Sequence, residues 1–312
     1  MIMSSGWSTN DMPSQQGKIA LITGANSGIG FEAAKALAEK GAHVIMACRN
    51  PQKANEAMDT LRQDVPNADI SFLQMDLASQ SSIKAAIETF KKDHTQLDLL
   101  INNAGVMWLP KSDTEDGYEM QFGTNHLGHF TLTGLLLDTL TSTPDSRIVT
   151  VSSLGHYTGK IHFDDIKLDK RYGKHKSYAQ AKLANLMFAY ELDRKLKAAG
   201  KGTRSIAVHP GGSSTNLATP GFEKGASLFT GVAKVFFPYV TQTAQSGALP
   251  TLFGATAAEA NGGDYIGPSK LFEVIGAPKK VGSSRYSKRK DVAEKLWKLS
   301  EELTNIQFDA IA

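Results

Sequence analysis

Thr23-Gly24-Ala25-Asn26-Ser27-Gly28-Ile29-Gly30 is the segment that most narrows what this chain can fold into. It follows an apolar run, 18–23, that reads as a buried strand, and it precedes a helical pattern over 31–40. Glycines at such a turn permit positive φ and let the backbone approach a ligand closely. Free N–H groups and the helix dipole at the same point favour an anion such as a pyrophosphate. The spacing is G-x-x-x-G-x-G, neither G-x-G-x-x-G nor G-x-x-G-x-x-G. A glycine-rich turn with no ligand is the bland alternative, and the position at the first strand–helix junction argues against it.

The same alternation continues for about two hundred residues. Strands are expected at 43–48, 70–75, 97–101, 147–151 and 204–208. Helices are expected from 51, over 81–92, from about 115 to 139, and over 177–199. Gly41 is a helix stop and Pro51 a helix start. Short continuous apolar strands between amphipathic helices predict a parallel sheet covered on both faces. With right-handed crossovers this becomes a doubly wound, Rossmann-type α/β domain. Residues 1–16, rich in Ser, Gln and Asn, are expected to be a flexible extension, and 17–312 a single domain. Past Pro210 the alternation breaks. An apolar segment over 217–239 follows, and about 213–240 is expected to cover the substrate; the same residues would also suit a core-facing or oligomer-facing helix.

Composition excludes several classes. Thirty-four basic residues against 31 acidic give +3, too little to argue for nucleic acid. The run Ser287-Lys288-Arg289-Lys290 reads as a solvated helix start. One cysteine, Cys48, rules out an internal disulfide and any Cys-based zinc site, and no metal is expected. No apolar stretch has the length of a signal-peptide core or a membrane span, so a cytoplasmic location is expected.

Tyr178 and Lys182 stand four apart within the helix expected over 177–199. Positions i and i+4 share a helix face, so the ammonium can lie beside the phenol. A positive charge there favours phenolate, lowers a pKa ordinarily near ~10, and makes the tyrosine usable as a proton donor and acceptor. The pair alone means little, because the spacing arises by chance in many helices. Tyr157 and Tyr172, also between Ser153 and Lys182, read as surface or pocket-rim residues. His126 and His129, with no cysteine or paired acid, read as packing or hydrogen-bonding groups and not as metal ligands. No G-x-S-x-G elbow surrounds Ser152 or Ser153, which weakens a hydrolase reading. After the second strand, where an acid would accept from a ribose 2′-hydroxyl, the chain has Cys48-Arg49-Asn50 and no carboxylate. Arg49 can pair bidentately with a 2′-phosphate, which points to NADP; stacking on adenine or facing solvent is the alternative.

With Asn102-Asn103-Ala104-Gly105 after the fourth strand and Ser152-Ser153 after the fifth, the chain resembles the short-chain dehydrogenase/reductase family over about residues 17–260. Within it the closest likeness is to the retinol-dehydrogenase-like branch, which also includes protochlorophyllide reductases. Arg49-Asn50, Asn125-His126-Leu127-Gly128-His129-Phe130 and Lys182-Leu183-Ala184-Asn185 carry that closer likeness. The resemblance implies an oxidoreductase moving a hydride between NADP(H) and a carbonyl or alcohol, with NADPH preferred to NADH. It implies Tyr178 as general acid/base, Lys182 on the nicotinamide ribose, Ser153 on the substrate oxygen, and Asn125 anchoring a water that leads to Lys182. Cofactor contacts are implied for Gly24, Asn26, Ser27, Gly28, Ile29 and Gly30 in the turn, and for Arg49 and Asn50 after the second strand. Asp76 and Leu77 would meet the adenine, Asn102, Ala104 and Gly105 the adenosine side, and Pro210, Gly211 and Thr215 the nicotinamide carboxamide. The implied partners are a small-molecule substrate, lipophilic if 217–239 covers the pocket, and a second copy in a homodimer. The competing class is a non-catalytic NADP(H)-binding sensor. Such a protein would keep the glycine turn but would not need Asn125, Ser153, Tyr178 and Lys182 together.

Overall fold

A computed structural model describes residues 6–212 and 242–311. Among these residues, β1 Ile19–Thr23, β2 His43–Cys48, β3 Ile70–Gln74, β4 Leu99–Asn102, β5 Arg147–Val151, β6 Arg204–Val208, β7 Tyr265–Lys270 and β8 Ile275–Lys280 form one sheet. Its order is β3-β2-β1-β4-β5-β6-β7-β8, and every neighbouring pair is parallel except β7 with β8. The helices are α1 Gly28–Glu39, α2 Pro51–Asp64, α3 Gln80–Asp93, α4 Gly128–Ser142, α5 Lys174–Ala198, α6 Ala244–Thr256 and α7 Lys290–Thr304. The doubly wound α/β architecture expected from the sequence is the one observed.

Strand alternation sorts the core into two layers. Ala20, Ile22, Val44 and Ile101 face Leu37 of α1, Leu61 of α2 and Leu252 of α6. Leu21, Ile45, Leu100 and Ile148 face Ile87 of α3, Leu136 of α4 and Leu192 of α5. Burying each leucine, isoleucine or valine among them contributes roughly 1.5–3 kcal/mol, and two covered faces explain why the strands read as unbroken apolar runs.

Three regions differ from expectation. The helix expected from about 115 begins only at Met120, because Gly117 sits at φ +76° and the Glu119 carboxylate accepts from the N–H groups of Gln121 and Phe122. A π-helical turn, Gly123–Leu127, then joins it to α4. The residues before 17 do not form a flexible extension over the part described. Trp7 meets Phe253 edge-on at 5.3 Å, Met12 is buried in the core, and the Gln15 N–H donates to Lys40. Past Pro210 the chain adds α6, β7 and β8, which no sequence periodicity announced, and α7, whose start was expected at the basic run 287–290. The segment 217–239 and Thr215 lie outside the described residues. Lys288, Arg289 and Lys290 are exposed at the start of α7, and Cys48 is buried at the end of β2.

The packed N-terminal stretch is testable. Met12→Ala should lower unfolding stability by about 2–5 kcal/mol, as loss of a core methionine does. Equal denaturation midpoints for variant and parent would show that residues 6–16 do not belong to the core.

Candidate active site

Strand order reverses between β1 and β4, and ligands of such sheets bind outside the carboxyl ends of the strands at that point. A cleft of about 350 Å³ opens there, between the glycine turn, Arg49, Asp76, the loop Asn103-Ala104-Gly105-Val106-Met107, Tyr178 and Lys182. In the turn Gly24 and Gly28 hold φ of +66° and +56°. A Cβ on Gly30 would lie 2.4 Å from the Gly24 carbonyl oxygen and 2.5 Å from Asn103 Nδ2. Ser27, at the N-cap of α1, makes no side-chain cap, whereas Asn50 and Ser79 cap α2 and α3. The first N–H groups of α1 are therefore left for an anion. Close backbone approach and uncapped donors together fit the pyrophosphate of a dinucleotide.

Tyr178 and Lys182 lie one turn apart on α5, with the Lys182 ammonium 5.8 Å from the centre of the Tyr178 ring. Lys182 is buried and its Nζ donates to the Val151 carbonyl at 3.0 Å, at the end of β5. Burial lowers its pKa from 10.5 to about 8. Burial also raises the Tyr178 phenol above its ordinary value, with the Ser153 hydroxyl pulling it partly back. The net lowering of the tyrosine pKa expected from the sequence is thus not met in this structure. Desolvation outweighs a charge that is directed at a carbonyl. Ser153 caps the short helix Leu154–Thr158, its Oγ accepting from the Gly155 N–H at 3.1 Å, which leaves its own proton free to donate. Gly155 keeps this corner open, since a Cβ there would lie 3.3 Å from the Tyr178 ring and 3.5 Å from Ser153 Oγ.

Asn125 sits in the π turn behind the cleft. Its side-chain amide accepts from the Val106 N–H at 2.7 Å and donates to the Val106 carbonyl at 2.9 Å. Neighbouring Gly105 leaves space toward both Asn125 Oδ1 and Lys182 Nζ. His126 hydrogen-bonds Ser300 of α7, and His129 in the first turn of α4 bonds the Asn125 carbonyl in the π turn before it.

Most residues singled out in the sequence come together here. Gly24, Asn26, Ser27, Gly28, Ile29, Gly30, Arg49, Asp76, Leu77, Ala104, Gly105, Tyr178, Lys182 and Pro210 all line the cleft. Arg49 is 72 % exposed and lies 3.8 Å from the Asp76 carboxylate. Asn102 does not line it: as the last residue of β4 it points into the core, donating to Thr133 and Thr150, and Asn103 takes the lining position. The Asn50 side chain is used as the cap of α2, accepting from the Lys53 N–H. Gly211 packs instead against Val274 and Pro268, with φ +69°. Tyr172 and Lys176 repeat the four-residue spacing, but Tyr172 precedes α5 and donates to the Leu109 carbonyl, away from the cleft. Tyr157 is exposed and donates to Gly282. Ser152, not Ser153, lines the cleft, and sequence reasoning also missed Asn103, Val106, Met107 and Thr124 there. Of these, Asn103 in the Asn-Asn-Ala-Gly motif and Ser152 in the serine pair carried a signal.

The profile of the family described as short chain dehydrogenase matches residues 18–225. The chain is 40 % identical over 295 residues to retinol dehydrogenase 12 of Homo sapiens, covering 94 % of this chain and 88 % of that protein. It is 36 % identical over 299 residues to polyprenol dehydrogenase of Homo sapiens, covering 94 % and 87 %. A crystal structure of an uncharacterized protein from Mycobacterium Paratuberculosis superposes with a TM-score of 0.79 at 38 % identity, over 97 % of this chain and 99 % of that one.

The buried ammonium has a measurable consequence. With a pKa of about 8 in the fold against 10.5, Lys182 binds fewer protons folded than unfolded between those values, so stability rises with pH across that window. At pH 7 the penalty is about 3 kcal/mol. Lys182→Met should therefore melt higher than the parent at pH 7, with the margin narrowing as pH rises past 8 toward 10.5. A variant that melts lower at pH 7, or a margin independent of pH, would contradict the burial argument.

Proposed function

The chain belongs to the short-chain dehydrogenase family, and from that premise we propose that it moves a hydride between NADP(H) and the carbonyl or alcohol of a lipophilic small molecule. The observation that carries this reading is the meeting of Tyr178 and Lys182 with the uncapped glycine turn in one cleft, the Ser153 hydroxyl being hydrogen-bonded to Tyr178. The nicotinamide cofactor, when bound, supplies or accepts the hydride and in its oxidised form adds positive charge. The N–H groups at the start of α1 hold the pyrophosphate, and Arg49 reaches the 2′-phosphate, since no carboxylate follows β2 to hold a free 2′-hydroxyl.

Ser153, with its oxygen already accepting from Gly155, donates its proton to the substrate oxygen. Tyr178 gives its proton to the same oxygen in reduction and recovers it in oxidation. Lys182, mostly cationic at neutral pH with a pKa of about 8, stabilises the phenolate left behind. Asn125 keeps the Gly105-Val106 wall in place. The relatives named for retinol and polyprenol, both lipophilic alcohols, support a lipophilic substrate.

Cofactor choice follows from Arg49. A charge-assisted contact to phosphate is worth about 1.5–3 kcal/mol, and solvent around the exposed guanidinium brings it to the low end, a preference of about tenfold for NADPH. Arg49→Asp should weaken NADPH and leave NADH unchanged or improved; equal dissociation constants for the two cofactors in the parent protein would refute the assignment.

The chemistry rests on one hydroxyl. Tyr178→Phe should retain NADPH affinity, read by nicotinamide fluorescence, while carbonyl reduction falls by ~10²–10⁴-fold. Tyr172→Phe, which alters a hydroxyl bonded outside the cleft, should retain most of the rate. A Tyr178→Phe protein that reduces a carbonyl at the parent rate, with chemistry shown to be rate-limiting, would favour a sensor or another site.

A further inference from the structure

His129 is fully buried at the head of α4, one turn past Asn125, and both ring nitrogens are engaged. Nδ1 lies 2.9 Å from the Asn125 carbonyl oxygen and Nε2 lies 2.9 Å from Thr23 Oγ1. A carbonyl can only accept, so Nδ1 carries the proton. Burial, helped by the charge of Lys182, drives the pKa of the ring down to about 4, so the imidazole is neutral and Nε2 is a bare acceptor. The Thr23 hydroxyl must then donate to it, the Ile101 carbonyl at 3.4 Å being the poorer partner. Thr23 Oγ1 in turn accepts from the N–H groups of Asn103 and Ala104, each at 2.9 Å. Every donor in this chain meets an acceptor: Asn103 and Ala104 to Thr23, Thr23 to His129, and His129 to Asn125.

The consequence is geometric. The cleft-lining loop is held at one end by Thr23, through Asn103 and Ala104, and at the other by the Asn125 amide, through Val106. His129 joins these two holds. Gly105 lies between them, where a Cβ would stand 3.1 Å from Asn125 Oδ1 and 3.5 Å from Lys182 Nζ.

We propose that His129 is a positioning residue with two separable tasks, resting on the reading of Tyr178 and Lys182 as the reacting pair. Through Nε2 and Thr23 it sets the cofactor-facing start of the loop. Through Nδ1–H it sets the Asn125 peptide, and with it Val106 and the surroundings of Lys182. Its neighbour His126 is equally buried but bonds Ser300 on α7, so it serves as a control for loss of a buried imidazole.

The two tasks can be separated by substitution. Asparagine at 129 keeps an N–H near the place of Nδ1 and has nothing to meet Thr23; glutamine reaches toward Thr23 and gives up the Nδ1 donor. His129→Asn should weaken NADPH binding by about tenfold, the worth of one buried hydrogen bond, with kcat at saturating cofactor within about twofold. His129→Gln should hold NADPH affinity within about threefold while kcat falls at least about tenfold and the pH profile of kcat moves, because the Lys182 environment has shifted. His126→Phe should lower Tm without moving that profile. Parallel losses in affinity and kcat in both variants, tracking Tm with an unmoved pH profile, would reduce His129 to a packing residue. A melting cycle over Thr23→Val, His129→Phe and the double variant provides a readout without turnover. The double variant should lose clearly less Tm than the sum of the singles, and additive shifts would overturn the hydrogen-bond chain. Should the parent bind NADPH yet reduce no carbonyl, the functional reading fails, while the affinity comparison and the melting cycle still decide on His129.

Discussion

Gly30 stands against the Gly24 carbonyl so closely that one added carbon would lie 2.4 Å from its oxygen, and much of the molecule is arranged around that approach. It lets α1 start directly beneath the end of β1, so the first N–H groups of the helix face the cleft. It also admits Asn103, whose Nδ2 donates to the Thr23 carbonyl at 2.8 Å and fastens the end of β4 to the end of β1. These two strands flank the place where the sheet order reverses. A single absent side chain thus joins the packing of the fold to the opening of its cleft, and the ligand site is a product of sheet topology more than of any loop laid over it.

The end of the cleft at Tyr178 and Lys182 obeys a different constraint. Tyr178 and Lys182 lie where the low dielectric opposes charge on either of them. Helix α5 keeps them there because residues on both sides, Ala181, Leu183, Ala184 and Leu186, are fully buried. The site is therefore held by the apolar neighbours of its polar groups.

Local pattern made most of the sheet legible. β1, β2, β5 and β6 are apolar runs bounded by clear breakers, and the glycine turn marks the first crossover. β7 was hidden because its Tyr-Ile-Gly-Pro-Ser-Lys has Gly267 and Pro268 in mid-strand. Pro250 and Gly254 concealed α6 in the same way, although Thr243 caps it. In the N-terminal stretch a lone Met12 among polar residues gives no periodicity, and only the tertiary fold reveals that it is core. At the site, motif residues were found where backbone placement decides their role. Asn102 and Asn103 were confused because one step of strand alternation separates core from cleft. The direction of the Tyr178 pKa was misjudged because desolvation is a property of the folded surroundings and not of the i, i+4 spacing.

The part of the chain that the family profile matches and the part that folds are not the same length. The profile match covers 18–225, yet α6 lies against α1, and β7 pairs with β6 at Ala207 and Val208. A gene trimmed to those bounds would strip Trp7 and Met12 from one flank and Leu252 and Phe253 from the same apolar layer, and would leave β6 as an unprotected sheet edge. Such a fragment would carry the glycine turn, Ser153, Tyr178 and Lys182 intact in sequence and still aggregate. For this protein, boundaries drawn from the profile match alone would cut through the hydrophobic layer that holds the motifs in place.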